Sequence, residues 1–397
     1  MKLYTTTPVC RKLFIILCLA LFFHTTMSMA DVEINESTFP DENFRNWIIA
    51  QKYGIDGILT DEEISSVTDI NVRAKSIQDL KGIEIFSNLK KLNCTHNQIS
   101  VLDMSANTLL EELSCGYNIL ANLYVSTCKA LKTLECDGCQ LTEIDLTNNP
   151  ALEEFWCQES QLTTLDVSGC KALKYLWCVG NNLKEINVTG CDKMTKLYCS
   201  YNQLQRIDVS TNTMLMEFAC YNNLLTELNV SSNKELYHLR CSHNQMTALD
   251  VSDLPNLGQL ICFSNKLTSI DLSGDTRLVC IYCYDNQISG QGMDAMLESL
   301  PEANAGMNDF RVIYDVDEQN VMTKEQVEVA RAKDWKPLYH VGNSTWNEYD
   351  GSTTTNIDSP VMRPSTEDIY DLQGRRIYSS HSHGLYIKKG RKITINR

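Results

Sequence analysis

Apolar and polar residues alternate in two short stretches of a segment that recurs along most of the chain. Leu197-x-Cys199 is the first stretch of one such repeat, and Ile207-x-Val209 is the second. Alternation with a period of two is typical of a β-strand, because successive side chains point to opposite faces. The pattern predicts two short strands per repeat, with no room for a full helix between them.

The residues next to the apolar ones are predicted to face the solvent. Because Leu197 and Cys199 point inward, Tyr198 and Ser200 are expected to point outward. The repeats therefore build a thin coil with a buried seam and a strand-lined outer surface. Recognition of a ligand would rest on the outward positions, since these vary from one repeat to the next.

A cysteine marks each repeat at a constant interval of 21 residues, without an insertion or a deletion. A fixed period of about 20 to 29 residues with leucines at set offsets is the signature of a leucine-rich-repeat solenoid. We therefore predict an α/β solenoid, a right-handed leucine-rich-repeat superhelix made mainly of β rungs of 21 residues. The cysteines of this structural ladder are Cys94, Cys115, Cys136, Cys157, Cys178, Cys199, Cys220, Cys241, Cys262 and Cys283.

The ladder cysteines are predicted to be buried thiols. Equivalent residues on successive strands lie about 4.8 Å apart, which exceeds the Cβ separation that a disulfide prefers. Cys136/Cys139 and Cys280/Cys283 resemble the half-sites of redox or zinc centres, but each is explained by a ladder position plus one further cysteine. Cys280 is the exception, because its offset predicts an outward and reactive thiol.

Asparagines recur at two turn positions of the repeat, where they are expected to bond the inward backbone groups of neighbouring rungs. A thiol replaces the amide at some rungs: Cys139 at the first position, and Cys128, Cys170 and Cys191 at the second. The first position holds Asn97, Asn118, Asn181, Asn202, Asn223, Asn244, Asn265 and Asn286, and the second holds Asn107, Asn149, Asn212 and Asn233.

The two ends of the chain differ from the repeat. A basic start, an apolar run over residues 13–23 and small residues before Asp31 predict a secretory signal peptide cleaved after Ala30. No later segment is long and apolar enough to span a membrane. The predicted organisation is a signal peptide (1–30), a helical N-terminal cap (31–82), the solenoid (83–290), an α/β C-terminal cap (291–348), a linker (349–366) and a short β-rich tail (367–397).

The N-terminal cap contains a loop, residues 54–63, that partly matches a calcium-binding EF-hand. Asp56 and Glu63 are its candidate ligands, but Lys52 and Gly54 stand where two oxygen donors are needed. The alternative is purely structural: Thr60 caps a helix with Glu63 and closes the end of the solenoid core.

The C-terminal cap is predicted from a change of period after the last rung. Apolar residues at helical spacing end at Pro301, residues 310–316 and 338–341 alternate as strands, and Thr323 with Gln326 caps a second helix. The carboxylates of Asp315, Asp317 and Glu318 have no histidine or cysteine at a catalytic offset. We therefore predict no enzymatic activity and no cofactor.

The charge of the chain limits its partners. The formal net charge is −15, and loss of the three basic residues in 1–30 makes the mature chain −18. Nucleic acids and anionic membranes bind positive surfaces, so neither is an expected partner. A basic partner is compatible with this charge, and so is a plain role in keeping an extracellular monomer in solution.

The repeat with a cysteine in place of one core leucine, across residues 83–288, resembles the cysteine-ladder repeats of internalin J-type bacterial surface adhesins. The resemblance implies a cell-surface protein that functions in attachment, without catalysis in the repeats. Residues 369–376 and 384–387, followed by a basic end, resemble the C-terminal sorting domain of type IX secretion cargo. That second resemblance implies that the tail is a secretion address.

A candidate binding strip lies on the outward positions beside the ladder cysteines. Large aromatic side chains on adjacent rungs suit a protein or a glycan, since tyrosine and tryptophan are common binding hot spots. The alternative is that the rings stack on one another and stiffen the sheet. The strip comprises Trp156, Trp177, Tyr198, Tyr221, Ile261, Phe263, Tyr282 and Tyr284.

These features predict an exported or cell-surface protein that binds an extracellular protein or glycan through its strand-lined face, in adhesion or recognition. The alternative is an architectural envelope protein that associates with itself and has no outside ligand. Binding to a ligand distinguishes the first, and concentration-dependent self-assembly distinguishes the second.

Overall fold

The computed structural model describes residues 31–303, 308–314, 318–342 and 344–353, and assigns three strands in the tail. The predicted signal peptide and most of the predicted linker lie outside the described residues. The chain divides into two compact units, the first ending at Leu173 and the second beginning at Lys174. Each unit is a stretch of β-solenoid with 21-residue rungs, which confirms the predicted fold class.

The first unit begins with two short helices. Helix Glu42–Ile49 starts at Asp41, whose carboxylate accepts a hydrogen bond of 2.8 Å from the N–H of Phe44, and it buries Phe44 and Ile48. Helix Asp61–Ser66 starts at Thr60 with the predicted capping box to Glu63. An antiparallel pair, Val32–Glu33 and Ile58–Leu59, joins the two helices.

The rungs of the first unit contribute one strand each to a parallel sheet, and further strands lie on the opposite side of the coil. Five strands form the sheet: Asp69–Asn71, Lys91–Asn93, Glu112–Ser114, Thr133–Glu135 and Glu154–Trp156. The remaining elements are the 3₁₀ helix Ile83–Ile85, the parallel pair Val101–Asp103 and Asn122–Tyr124, and the strand Thr164–Asp166.

The second unit repeats this arrangement and ends in a mixed cap. Its main sheet contains the parallel strands Tyr175–Trp177, Lys196–Tyr198, Glu217–Ala219, His238–Arg240, Gln259–Ile261, Cys280–Tyr282, Asp309–Ile313 and Lys336–Gly342, and the antiparallel strand Thr345–Glu348. The other elements are strands Glu185–Asn187, Leu249–Asp250 and Ile270–Asp271, and helices Gln291–Ser299 and Lys324–Ala332.

Each ladder cysteine stands one residue beyond a strand of the main sheet of its unit and is buried in the core. The N–H of Cys199 donates to the carbonyl of Ala219 on the next rung at 2.9 Å. Burial raises the pKa of Cys199 to about 12. The cysteines of the described residues are reduced thiols, and each is buried.

Two sequence expectations about exposure are wrong. Cys280 is only 8% exposed, and burial raises its pKa to about 11, so it is not the outward, reactive thiol that its offset predicted. Ser200 is fully buried although it was expected to point outward. Its position lies two residues past the end of strand Lys196–Tyr198, where buried and exposed residues no longer alternate.

The asparagine ladders have the predicted role. Asn202 donates through Nδ2 to the carbonyls of Cys178 and Cys199, both at 3.0 Å, and its Oδ1 accepts from the N–H of Leu183 at 3.0 Å. A cysteine substitutes with longer contacts, since Cys128 Sγ lies 3.4 Å from the carbonyl oxygen of Met104. The amides therefore tie each turn to its neighbour, and the thiols do so more weakly.

The C-terminal cap follows the sequence expectation closely. Helix Lys324–Ala332 starts with the predicted box of Thr323 and Gln326, and Trp335 is fully buried with its Nε1–H donating to the carbonyl of Pro301 at 2.8 Å. The strand predicted over residues 310–316 is observed as Asp309–Ile313.

The tail contains three strands that pair in an antiparallel manner: Ile369–Tyr370, Gly384–Lys388 and Arg391–Ile395. Its role as a secretion address stays a prediction. Among the described residues, no helix combines the length and hydrophobicity needed to cross a membrane.

Candidate binding face

One residue per rung, the last of the three-residue strand segment, forms a continuous column on the main sheet of the second unit. The parallel pairing keeps these residues in register from one strand to the next. The column, which we call the strand face, consists of Trp177, Tyr198, Ala219, Arg240, Ile261, Tyr282 and Arg311.

An aromatic group with an ion pair occupies the start of the strand face. The rings of Trp177 and Tyr198 stack with centroids 5.4 Å apart, and the hydroxyl of Tyr198 donates to the carboxylate of Glu217. Lys196 Nζ lies 2.8 Å from Glu217 Oε1. We call Trp177, Tyr198, Lys196 and Glu217 the first cluster.

Hydrogen bonds and opposite charges within the first cluster hold its side chains in place. Burial and the hydrogen bond to Glu217 raise the pKa of Tyr198 to about 12, so the phenol stays a donor. Burial acts to raise the pKa of Glu217, but hydrogen bonds from Lys196 and Tyr198 outweigh it, and the pKa is lowered. The carboxylate therefore remains charged and keeps both partners in place.

A second group of the same design occupies the end of the strand face. Arg311 forms a two-point ion pair with Asp309, with Nε–Oδ1 at 3.0 Å and Nη2–Oδ2 at 2.8 Å, and Tyr282 donates to Asp309 Oδ2 at 2.7 Å. The guanidinium lies 4.1 Å from the ring centroid of Tyr282 and 4.8 Å from that of Trp346. We call Tyr282, Asp309, Arg311 and Trp346 the second cluster.

Three different side chains fill the strand face between the two clusters. Ala219 is 2% exposed, Arg240 is exposed, and Ile261 is half-buried. Among the described residues, the side chain of Arg240 has no hydrogen bond or ion pair. The centre of the face therefore combines aliphatic surface with an uncompensated positive charge.

The other aromatic residues of the predicted strip lie outside the strand face, one position past the cysteines. Phe263 stacks on Tyr284 with centroids 4.4 Å apart, Tyr284 on Tyr314 at 5.0 Å, and Tyr314 on His340 at 4.2 Å. Tyr284 is 9% exposed, so the expectation that its ring faces solvent is wrong, because Tyr314 and its other neighbours cover it. Tyr221 lies edge-on to Tyr201 at 5.3 Å.

Trp156 belongs to the first unit, where it ends strand Glu154–Trp156 and is half-buried. It holds the same position in its rung as the strand-face residues hold in theirs. Within the second unit, the predicted strip is thus divided between the strand-face residues Trp177, Tyr198, Ile261 and Tyr282 and the separate aromatic stack beyond the cysteines.

Sequence reasoning missed the residues that complete the second cluster and the aromatic stack. Arg311 and Tyr314 follow helix Gln291–Ser299, which interrupts the 21-residue interval, and Trp346 comes from the antiparallel strand Thr345–Glu348. The alternation of Phe310 with polar neighbours is the signal that could have extended the column to Arg311.

The weak metal candidates have structural roles. Glu63 Oε2 accepts from the N–H of Thr60 at 2.9 Å and from its hydroxyl at 2.8 Å, and Asp56 accepts from the N–H of Ile58 at 3.1 Å. Over the described ranges, no three or more histidine, cysteine, aspartate or glutamate side chains are grouped to hold a metal ion.

Of the three predicted carboxylates in the C-terminal cap, the structure describes Glu318, and its hydrogen-bond partners are backbone N–H groups. Glu318 is buried and accepts backbone N–H groups of Asp285, Tyr314 and Asn320 at 2.7 to 3.0 Å, and burial raises its pKa to about 7. Asp315 and Asp317 lie outside the described residues. The contacts of Glu318 are those of a side chain that ties a loop together.

Comparison with known proteins agrees with this architecture. The family described as the leucine-rich-repeat domain of the endo-β-N-acetylglucosaminidase EndoS matches residues 39–169. Internalin J of Listeria monocytogenes serotype 4b (strain F2365) is 34% identical over 85 residues, which make up 21% of this chain and 9% of internalin J. The matched part therefore spans less than a tenth of that relative.

Solved structures show the same fold. The functional domain of InlJ from Listeria monocytogenes, which includes a cysteine ladder, matches with a TM-score of 0.55 at 27% identity, over 80% of this chain and 72% of that one. The internalin inlF from the same organism matches with a TM-score of 0.61 at 23% identity, over 79% and 93% of the two chains. The chain thus has a leucine-rich-repeat fold, and it resembles internalin J in its cysteine ladder.

Proposed function

We propose that this chain is an exported or cell-surface protein that binds a protein or glycan through its strand face, in adhesion or recognition. The observation that carries the proposal is the pair of aromatic and ion-pair clusters on one in-register column. Tyrosine, tryptophan and arginine are the residues most often found at binding hot spots. Rings and charges that are already held in place lose little conformational entropy when a ligand binds.

The comparisons support a binding role. The similar internalin domain carries the same kind of cysteine ladder, and leucine-rich-repeat relatives bind proteins or other ligands. The EndoS domain belongs to an enzyme named for its action on a glycan linkage, which is a reason to include glycans among the candidate ligands. The signal peptide predicted over residues 1–30 supports an extracellular site of action.

Binding of the purified chain to an array of extracellular proteins and glycans tests the proposal. The double variant Trp156→Ala/Trp177→Ala is expected to lose the binding seen with the parent chain. The matched control is Tyr117→Ala/Tyr201→Ala, which removes rings that are 53% and 54% exposed and lie outside the main strands. Loss of binding in the control, or retained binding in the tryptophan variant, would contradict a site on this face.

Sedimentation velocity separates the proposal from an architectural role. We expect one sedimenting species whose size does not change with concentration. Concentration-dependent assembly without a hit on the array would favour the architectural alternative.

A further inference from the structure

The charges of the strand face are unevenly compensated. The main-sheet strands from Tyr175–Trp177 to Asp309–Ile313 contain two carboxylates, Glu217 and Asp309. Glu217 already binds Lys196 and Tyr198, and Asp309 already binds Arg311 and Tyr282. Each cluster is therefore close to neutral, and neither carboxylate has a hydrogen bond or ion pair with Arg240.

Arg240 thus stands as an uncompensated cation in a chain with a net charge of −15. Its neighbours in the column are Ala219 on one side and Ile261 on the other. A guanidinium binds a carboxylate through two parallel hydrogen bonds, and a site with little competing solvent strengthens them. The complementary group is a carboxylate with apolar groups next to it.

The surroundings of Arg240 favour a peptide over a sugar. The side chains of Ala219 and Ile261 offer no polar atom, and the backbone near them is used by the ladder: the N–H of Cys220 donates to the carbonyl of Arg240 and that of Cys241 to the carbonyl of Ile261. The nearest polar side chains on this face are those of His238 and Gln259, two residues before Arg240 and Ile261 on the same strands. Ile261 gives the carboxylate site an apolar neighbour, which suits an aliphatic side chain of a peptide, and a sugar carries no such side chain.

The number of rungs between the two clusters sets the length of the site. Tyr198 and Tyr282 lie four rungs apart, which corresponds to about 19 Å at the usual strand spacing, or roughly six residues of extended chain. We propose that the strand face binds an acidic segment of a partner protein, with one carboxylate on Arg240 and an apolar side chain on Ile261. This inference rests on the proposed function and deepens it.

Selection from a phage-displayed library of random dodecapeptides on the immobilised chain tests the inference. Enriched peptides are expected to carry aspartate or glutamate at one fixed position beside apolar residues. Synthetic versions are then titrated against the parent chain and Arg240→Gln, with Arg206→Gln, an exposed arginine outside the main strands, as the matched control. We expect at least a tenfold loss of affinity for Arg240→Gln and none for Arg206→Gln.

A paired change in the peptide makes the test specific. Replacing its fixed acid with the corresponding amide is expected to weaken binding to the parent chain at least tenfold and to leave binding to Arg240→Gln unchanged. Enriched peptides without an acid, or equal binding to the parent and Arg240→Gln, would overturn the inference. An acidic glycan that depends on Arg240, with no peptide selected, would overturn it as well.

The variant Trp177→Ala separates this inference from the proposed function. If Trp177→Ala abolishes binding and Arg240→Gln does not, the strand face is the site but its ligand is not acidic. If neither variant affects binding, both proposals fail. Near-ultraviolet circular dichroism of each variant confirms that the fold is retained.

Discussion

Asp275 lies two rungs after Asn233, at the second of the two turn positions where asparagines recur. The two side chains differ in the hydrogen bonds that they make there. The amide of Asn233 donates to the carbonyls of Val209 and Asn212 at 3.0 and 2.8 Å. The carboxyl of Asp275 accepts from the N–H of Leu254 at 3.0 Å, and its Oδ2 is buried without a partner. A charged group at this position is costly, and burial raises the pKa of Asp275 to about 8.

Replacing Asp275 with asparagine is expected to stabilise the second unit. The amide removes the buried acid and supplies the donor that Asn233 uses in its own rung. We expect the free energy of unfolding to rise by about 1 to 3 kcal/mol at pH 8, measured by urea denaturation. Asp192→Asn, which changes an exposed acid, serves as the control, and an equal effect of both changes would refute the explanation.

The raised pKa of Asp275 also makes the free energy of unfolding depend on pH. Because the pKa of Asp275 is raised on folding, the native chain holds a proton that the unfolded chain releases between about pH 4 and pH 8. The stability due to this group is fully present below pH 4 and is lost as the pH rises towards 8. Urea denaturation of the parent and Asp275→Asn across this range should show a difference that grows with pH, and a constant difference would contradict the raised pKa.

The first asparagine ladder predicts a large loss of stability for Asn202→Ala. The change removes the three hydrogen bonds that Nδ2 donates to the carbonyls of Cys178, Cys199 and Ser200, and the one bond that Oδ1 accepts. We expect destabilisation by about 2 to 4 kcal/mol, since buried polar groups without partners cost roughly 1 to 3 kcal/mol each. Gln203→Ala alters the adjacent exposed residue and is expected to change stability by less than about 0.5 kcal/mol.

The buried position of Cys280 predicts slow alkylation. Its thiol has a pKa raised to about 11 by burial, so little reactive thiolate exists at pH 8. Iodoacetamide labelling followed by peptide mass spectrometry is expected to modify Cys280 and Cys199 with similar slow kinetics in the folded chain, and both rapidly in guanidinium chloride. Labelling of Cys280 at the rate of a free peptide thiol would show that the outward position expected from its offset was right after all.

The sequence by itself determined the features that recur from rung to rung and the helix caps that depend on neighbouring residues. The interval from Cys94 to Cys283, the two asparagine positions and the caps at Thr60 and Thr323 were all readable, because each is set by residues close in the chain or by one environment copied from rung to rung. Local hydrogen bonding and side-chain alternation are sufficient to specify such features. They were therefore the predictions that the structure confirmed.

Only the tertiary structure decided which side chains bury individual residues of the repeats and which residues complete the second cluster. Helix Gln291–Ser299 lies in the chain between strands Cys280–Tyr282 and Asp309–Ile313, which pair with each other. The 21-residue interval therefore does not predict that Arg311 lies beside Tyr282. The burial of Cys280 and Tyr284 likewise depends on side chains that do not belong to the repeat. A periodic pattern reports the environment that every rung shares, whereas exposure and charge compensation at one rung depend on the particular neighbours that folding brings to it.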